Sequence, residues 1–141
     1  MNRTAEVEAA NAEFYAAFEA LDLDRMAAVW ADDDGIGCVH AGWPLLKGRA
    51  AVMRSWALIM ANTSYIQFIL TDVTVQQFGE QALVTCGENI LTADDESDSD
   101  SGFLAAGAVV ATNLFICRDG EWRLWLHHGS PVLNQIDDES E

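Results

Sequence analysis

The first sixty residues alternate apolar and polar positions at the spacing of helices. Apolar side chains recur every three or four residues from Val7 to Leu21, which predicts an amphipathic helix from about residue 4 to residue 20. Asp22 can cap a second helix, whose apolar stripe ends at Trp30. A third helix, with its own apolar stripe, is expected from about residue 49 to residue 61.

Beyond Asn62 the chain is rich in β-branched and aromatic residues, which is typical of strands. This part predicts four long strands, at about residues 65–78, 82–92, 103–118 and 121–131. A short strand at 36–40 precedes the third helix. The predicted order is therefore α-α-β-α-β-β-β-β, an α+β pattern in which the helices cover one face of an antiparallel meander.

The strand at 103–118 is apolar on both of its faces. Because the helices can cover only one face of the sheet, the outer face needs another partner. We expect a second copy of the chain to cover it, so that the protein is a homodimer through the outer sheet face.

Charge restricts the partners further. The chain has 141 residues and a net charge of −16, with 23 acidic residues against seven lysines and arginines. A surface this acidic repels phosphates, so neither nucleic acid nor a membrane is expected as a partner. The excess is concentrated in residues 32–34, 94–100 and 137–141. We predict a single domain over residues 1–133 and a disordered acidic tail over 134–141.

No metal or cofactor is predicted. The acidic loop ADDESDSDSG at 93–102 lacks the glycine and the terminal glutamate of a calcium-binding EF-hand loop. The three cysteines match no zinc spacing and are interpreted as core residues. A hydrophobic signal segment is absent from the first residues, and no apolar run reaches the ~20 residues of a membrane span, so a cytoplasmic location is expected.

Three stretches, in this order of elements, carry a family resemblance: CVHAGWPLLKGRAAVMRSW at 38–56, ATNLF at 111–115 and DGEWRLWLHHGSP at 119–131. Over residues 5–133 the chain resembles the nuclear transport factor 2-like superfamily, especially its SnoaL-like domains and the association domain of calcium/calmodulin-dependent protein kinase II. The resemblance implies the cystatin-like fold: a cone-shaped, curved antiparallel sheet wrapped around N-terminal helices. It also implies an internal pocket and dimerisation through the outer sheet face.

The resemblance places His40 and Trp43 at the mouth of the cone. Histidine can serve as an acid or base near neutral pH, and tryptophan can form an apolar wall with one N–H donor. The alternative is that Trp43 plugs the cone while His40 bonds a backbone carbonyl. Trp56, on the apolar stripe of the third helix, is expected to line the pocket.

The pair His127-His128 can direct only one ring into the cone, since successive side chains of a strand point to opposite faces. Counting in twos from Trp122 puts His128 on the apolar face. We therefore expect His128 to point inward, as a candidate acid or base or as a buried structural residue, and His127 to point outward.

Three further polar residues lie in apolar surroundings. Glu88, inside a predicted strand, is either a buried acid or base of raised pKa or an outer-face partner of an arginine. Asn113 could orient a ligand carbonyl or hydroxyl, or satisfy a buried backbone group. Tyr15, on the first helix, could offer a phenol to the pocket or belong to the core.

Two functions of different classes remain open. The first is binding of a small, largely apolar molecule in the cone, with proton transfer or the addition and elimination of water as its chemistry. Its candidate catalytic residues are His40, His128 and Glu88, and its candidate ligand-binding residues are Trp43, Trp56, Asn113 and Tyr15. The second function is a non-catalytic association module, whose product is the oligomer itself.

Overall fold

The computed structural model describes residues 3–93 and 103–133, of which 103–106 by their backbone alone. Within these residues, three helices and six strands follow in the order α1 (Thr4–Glu19), α2 (Leu23–Val29), β1 (Gly37–Val39), β2 (Leu46–Lys47), α3 (Arg49–Ala61), β3 (Ile66–Phe78), β4 (Gln81–Ala93), β5 (Phe103–Arg118) and β6 (Glu121–Pro131). The α+β class is confirmed. The predictions for the acidic loop and for the tail at 134–141 lie largely outside the described residues.

The predicted cap of the second helix is confirmed, and a contact that was not predicted fixes the third helix beside it. The Asp22 side chain accepts a hydrogen bond from the backbone N–H of Arg25 at 3.0 Å and caps α2. The Arg49 guanidinium, at the start of α3, donates to the carbonyls of Ala27, Trp30 and Ala31 at the end of α2. These bonds satisfy carbonyls that the helix end leaves free, and they fix α3 against α2.

The sheet has the strand order β2-β1-β6-β5-β4-β3. Strands β3 to β6 form the predicted antiparallel meander. Two features differ from the prediction. Strand β1 pairs with β6 in parallel, because the chain between them runs through α3 and the whole meander rather than through a hairpin. Strand β2, two residues within the predicted loop at 41–48, is too short to show any alternation of its own.

The helices pack on the concave face of this curved sheet. The largest fully buried side chains include Phe14 of α1, Trp56 of α3 and Phe115 of β5, and the rings of Phe14 and Trp56 meet edge to face at 5.7 Å. Among the described residues, no helix is both long enough and apolar enough to cross a bilayer.

A β-bulge changes the facing of residues along β6. Leu114 of β5 pairs with Leu126, but the next residue, Phe115, pairs with Leu124, so β6 holds one extra residue, Trp125. Before this point Trp122 and Leu124 face the core, and beyond it His127 and Gly129 do. An extra residue shifts the two-residue period by one and turns every later side chain to the other face.

Candidate functional site

An interior cavity of about 160 Å³ lies between α1, α3 and the concave face of the sheet. Aromatic and aliphatic side chains form most of its wall. Its polar wall residues are Tyr15, His40, Glu88 and His127, and Trp56 adds an indole. A few polar groups converging in an apolar cavity are typical of a small-molecule site.

Alternation along β4 directs Glu88 into this cavity. Every second residue of this strand is buried, namely Ala82, Val84, Cys86 and Glu88, and the Glu88 residue is only 5% exposed. Asn89 points to the other face, where its amide donates to the carbonyl of Ile69 at 3.0 Å. The alternative of an outer-face Glu88 paired with an arginine is therefore wrong.

His127, rather than His128, points inward. The His127 residue is 6% exposed and lines the cavity, whereas His128 is exposed. The prediction that His128 faces the interior is wrong, because the count in twos from Trp122 did not include the bulge at Trp125. The ring of Phe14 packs against that of His127, with 4.9 Å between centroids.

A chain of buried hydrogen bonds connects His127 with Glu88. Asn113 Oδ1 lies 2.6 Å from Nδ1 of His127, and Asn113 Nδ2 donates to Oδ1 of Asn11 at 2.9 Å and to the hydroxyl of Tyr15 at 3.2 Å. The Tyr15 hydroxyl in turn donates to Oε2 of Glu88 at 2.5 Å. Since both amide hydrogens of Asn113 are used on one side, its oxygen must face the histidine.

Burial sets the protonation states of the residues in this series of hydrogen bonds. Loss of hydration raises the pKa of Glu88, and the hydrogen bond from Tyr15 only partly opposes that rise. Burial, followed by the nearby Glu88 charge, also raises the pKa of Tyr15. Burial lowers the pKa of His127 to about 3, with smaller contributions from His40 and His128. The cavity thus contains a neutral imidazole and a carboxyl group that holds its proton to higher pH than usual.

His40 lines the cavity, but its Nε2 atom is engaged elsewhere. It lies 2.8 Å from the hydroxyl of Ser55, which already donates to the carbonyl of Val52 at 2.6 Å. The Ser55 oxygen must therefore accept, so His40 donates from Nε2. Burial lowers the pKa of His40 to about 4. The ring of Trp43 stacks edge to face on His40 at 4.9 Å, but Trp43 is half-buried and lies outside the cavity wall.

Trp56 has an unused donor. Its residue is 1% exposed and lines the cavity, yet its indole N–H has no hydrogen-bond partner among the described residues. Buried polar groups are nearly always paired, so this unpaired N–H is an exception, and its nitrogen is fully enclosed rather than open to the cavity. Tyr15 and Trp56 thus lie where the sequence predicted pocket residues, while Asn113 contacts two wall residues rather than the cavity itself.

Two buried polar residues were not predicted. Asn11 accepts from Asn113, and Ser55 accepts from His40. Both carry a signal in the sequence, since each lies on an otherwise apolar helix stripe: Asn11 four residues after Val7, and Ser55 three residues after Val52. A polar side chain at such a position has to find a buried partner.

A larger groove of about 520 Å³ lies outside, between α1, α2 and the turn from β5 to β6. Its charged residues already have partners, as in the pairs Arg25–Glu13 and Arg123–Glu121. It contains no buried acid or base, so the interior cavity remains the candidate site despite its smaller volume. In the described part of the chain, no three His, Cys, Asp or Glu residues cluster as metal ligands would.

Comparison with known proteins agrees with the fold. The SnoaL-like domain family matches residues 7–134. The F-box protein SKIP8 of Arabidopsis thaliana is 28% identical over 136 residues, which are 96% of this chain but 53% of that protein. The chain therefore spans about half the length of this curated relative.

Two solved structures are similar over nearly their whole length. A candidate dehydratase from the nuclear transport factor 2-like family of Streptomyces avermitilis has a TM-score of 0.84 and 46% identity, covering 93% of this chain and 97% of that one. A candidate calcium/calmodulin-dependent protein kinase type II association domain from Thiobacillus denitrificans has a TM-score of 0.77 and 35% identity, covering 89% and 94%.

Proposed function

The chain belongs to the SnoaL-like domain family, and on that premise we propose that it binds a small, largely apolar molecule in the interior cavity and acts on it by proton transfer. The observation that carries this proposal is the convergence of Glu88 and His127 in an apolar cavity of about 160 Å³. An engineered apolar cavity of about 150 Å³ binds benzene, so the occupant has the size of a single ring.

Glu88 is the group proposed to move the proton. A carboxyl group whose pKa is raised above its usual value suits general acid–base work, because its ionised form is a stronger base than an ordinary carboxylate. Its carboxylate would take a proton from a carbon of the substrate and return it to another atom. The candidate dehydratase from Streptomyces avermitilis, at 46% identity, supports chemistry of this kind.

Blocking the cavity mouth tests the binding. Ala41 is exposed and lines the cavity, so Ala41→Trp should obstruct entry at little cost in stability. We expect this variant to weaken the binding of toluene and of phenol at least tenfold, measured as Kd by NMR titration of the Trp56 indole resonance. Ala57→Trp, at an exposed position of α3 outside the cavity wall, and His128→Ala should bind as the unaltered protein does.

The same titration separates binding from chemistry. Glu88→Gln keeps an acceptor for Tyr15, so this variant should still bind toluene. Its amide cannot take up a proton, so the variant should no longer catalyse exchange of the α-hydrogens of cyclohexanone with D₂O. If neither probe binds any of these proteins, the proposed function fails. If the probes bind but the unaltered protein does not accelerate exchange relative to Glu88→Gln, only the catalytic part fails.

Assembly is part of the proposal. Ile69 and Val110 are about half exposed on the outer face of the sheet, 53% and 51% respectively, and support a homodimer through that face. Light scattering should give about twice the 15.4 kDa of one chain. Val110→Lys should yield the monomer, whereas Leu58→Lys, at an equally exposed position on α3, should leave the dimer intact.

The same measurement addresses the second candidate function. The association-domain relative from Thiobacillus denitrificans, at 35% identity, favours a non-catalytic association module. A large ring in light scattering, together with the absence of probe binding, would establish that function instead. A cytoplasmic location, supported by the free thiols of Cys38, Cys86 and Cys117, completes the proposal.

A further inference from the structure

We propose that Asn113 holds His127 in a single tautomer, and that the cavity thereby selects uncharged molecules that present a hydroxyl group to Nε2 of His127. The inference rests on the proposed binding function and adds the class of ligand to it. Asn113 is a positioning residue here, since it touches the cavity only through its neighbours.

The first step concerns the amide of Asn113. One of its N–H groups donates to Asn11 and the other to the hydroxyl of Tyr15. That hydroxyl has its own hydrogen directed to Glu88 at 2.5 Å, so it can only accept from Asn113. The amide therefore cannot be turned over without placing its oxygen against Asn11 Oδ1, which is an acceptor as well.

The second step concerns the imidazole. With the oxygen of Asn113 facing it at 2.6 Å, Nδ1 of His127 must carry the hydrogen. A neutral imidazole has one hydrogen, so Nε2 is left as a bare acceptor. Nε2 has no hydrogen-bond partner among the described residues. It is also not fully enclosed by protein atoms, and His127 lines the cavity, so Nε2 borders the cavity.

The third step concerns charge. Among the described residues that line the cavity, none is an arginine or a lysine, while Glu88 supplies a carboxyl group. An anionic ligand would enter an apolar space without a counter-ion and beside a group that can become negative. An acceptor nitrogen in an apolar wall therefore selects a neutral hydroxyl group.

The sharpest test compares phenol with toluene, which differ by a hydroxyl in place of a methyl group of similar size. We expect phenol to bind at least tenfold more tightly than toluene, since a site built around a hydrogen bond rejects the analogue that lacks it. Benzoate should bind at least tenfold more weakly than phenol. Toluene binding as tightly as phenol, or benzoate binding more tightly, overturns the inference and leaves the proposed binding function standing.

NMR of the imidazole nitrogens supplies a reading that needs no ligand. In ¹⁵N-labelled protein at neutral pH, His127 should give a protonated Nδ1 and an unprotonated Nε2. Asn113→Leu should shift the hydrogen toward Nε2, whereas Thr112→Val, at the next residue and on the other sheet face, should not. A protonated Nε2 in the unaltered protein overturns the inference even if the Asn113 variant does not fold.

Discussion

Acidification from about pH 7 to about pH 4 is expected to lower the free energy of unfolding by several kcal/mol. Burial lowers the pKa of His40 to about 4 and that of His127 to about 3, from 6.5 in an unfolded chain. The unfolded chain therefore binds protons first, and stability present above pH 6.5 is lost as the pH falls toward the folded values. Each histidine contributes a loss of roughly 3 kcal/mol by about pH 4.

Glu88 acts in the opposite direction. Its pKa is raised by burial, so its protonated form favours the folded state, and this contribution grows as the pH falls through the folded pKa. The two histidines outweigh the single carboxyl group because both are shifted by more than two pH units. The net change is a marked fall in stability between pH 6.5 and pH 4.

Urea unfolding at several pH values measures this loss. His127→Gln, which keeps a donor for Asn113, should reduce the acid-induced loss by about 3 kcal/mol. His128→Gln is the matched control, since its side chain is exposed one residue away and its replacement should change the acid-induced loss far less than His127→Gln does. A free energy of unfolding that stays level between pH 6.5 and pH 4.5 contradicts the neutral state of both buried histidines.

Most element boundaries could be predicted because each element carries its own local signal. The 3.6-residue and two-residue periods located α1, α3 and the four long strands to within about two residues, and Asp22 marked the start of α2. The pair Asp119-Gly120 marked the last hairpin, where both residues adopt the positive φ angles of a tight turn.

The facing of the two histidines could not be predicted in the same way. Trp125 and Leu126 are both apolar, so the alternation along β6 does not reveal which residue is the extra one. A bulge depends on the partner strand, and the partner is distant in sequence. The sequence predicted that only one histidine of the pair His127-His128 faces the cavity, and the bulge makes it His127.

The hydrogen bonds between candidate residues could not be predicted from the sequence either. Tyr15 and Glu88 are 73 residues apart and meet only because α1 packs on the inner face of β4. The sequence predicted each of them as a separate polar residue in apolar surroundings. It could not predict that they share a hydrogen bond, because that depends on how the helix sits across the sheet rather than on any local period.

Replacing Asn113 with leucine is expected to lower the free energy of unfolding by about 3 to 5 kcal/mol. Asn113 is fully buried, and leucine fills a similar volume, so little of the loss comes from a cavity. The loss arises because Asn11 Oδ1 and the ring N–H of His127 are left unpaired, at about 1–3 kcal/mol each, while Tyr15 loses one donor but keeps its bond to Glu88.

Thr112→Val is the control for this change. Thr112 lies next to Asn113 on β5 but on the other face, so its replacement removes a hydroxyl without disturbing the buried chain. Urea unfolding at pH 7 should place it within about 0.5 kcal/mol of the unaltered protein. If Asn113→Leu also lowered the free energy of unfolding by no more than about 0.5 kcal/mol, the former partners of Asn113 would have formed hydrogen bonds to other groups. The hydrogen bonds from His127 to Glu88 would then not form a single connected network. A much lower free energy of unfolding for Asn113→Leu than for Thr112→Val would instead mean that Asn113 connects the buried hydrogen bonds beside the cavity.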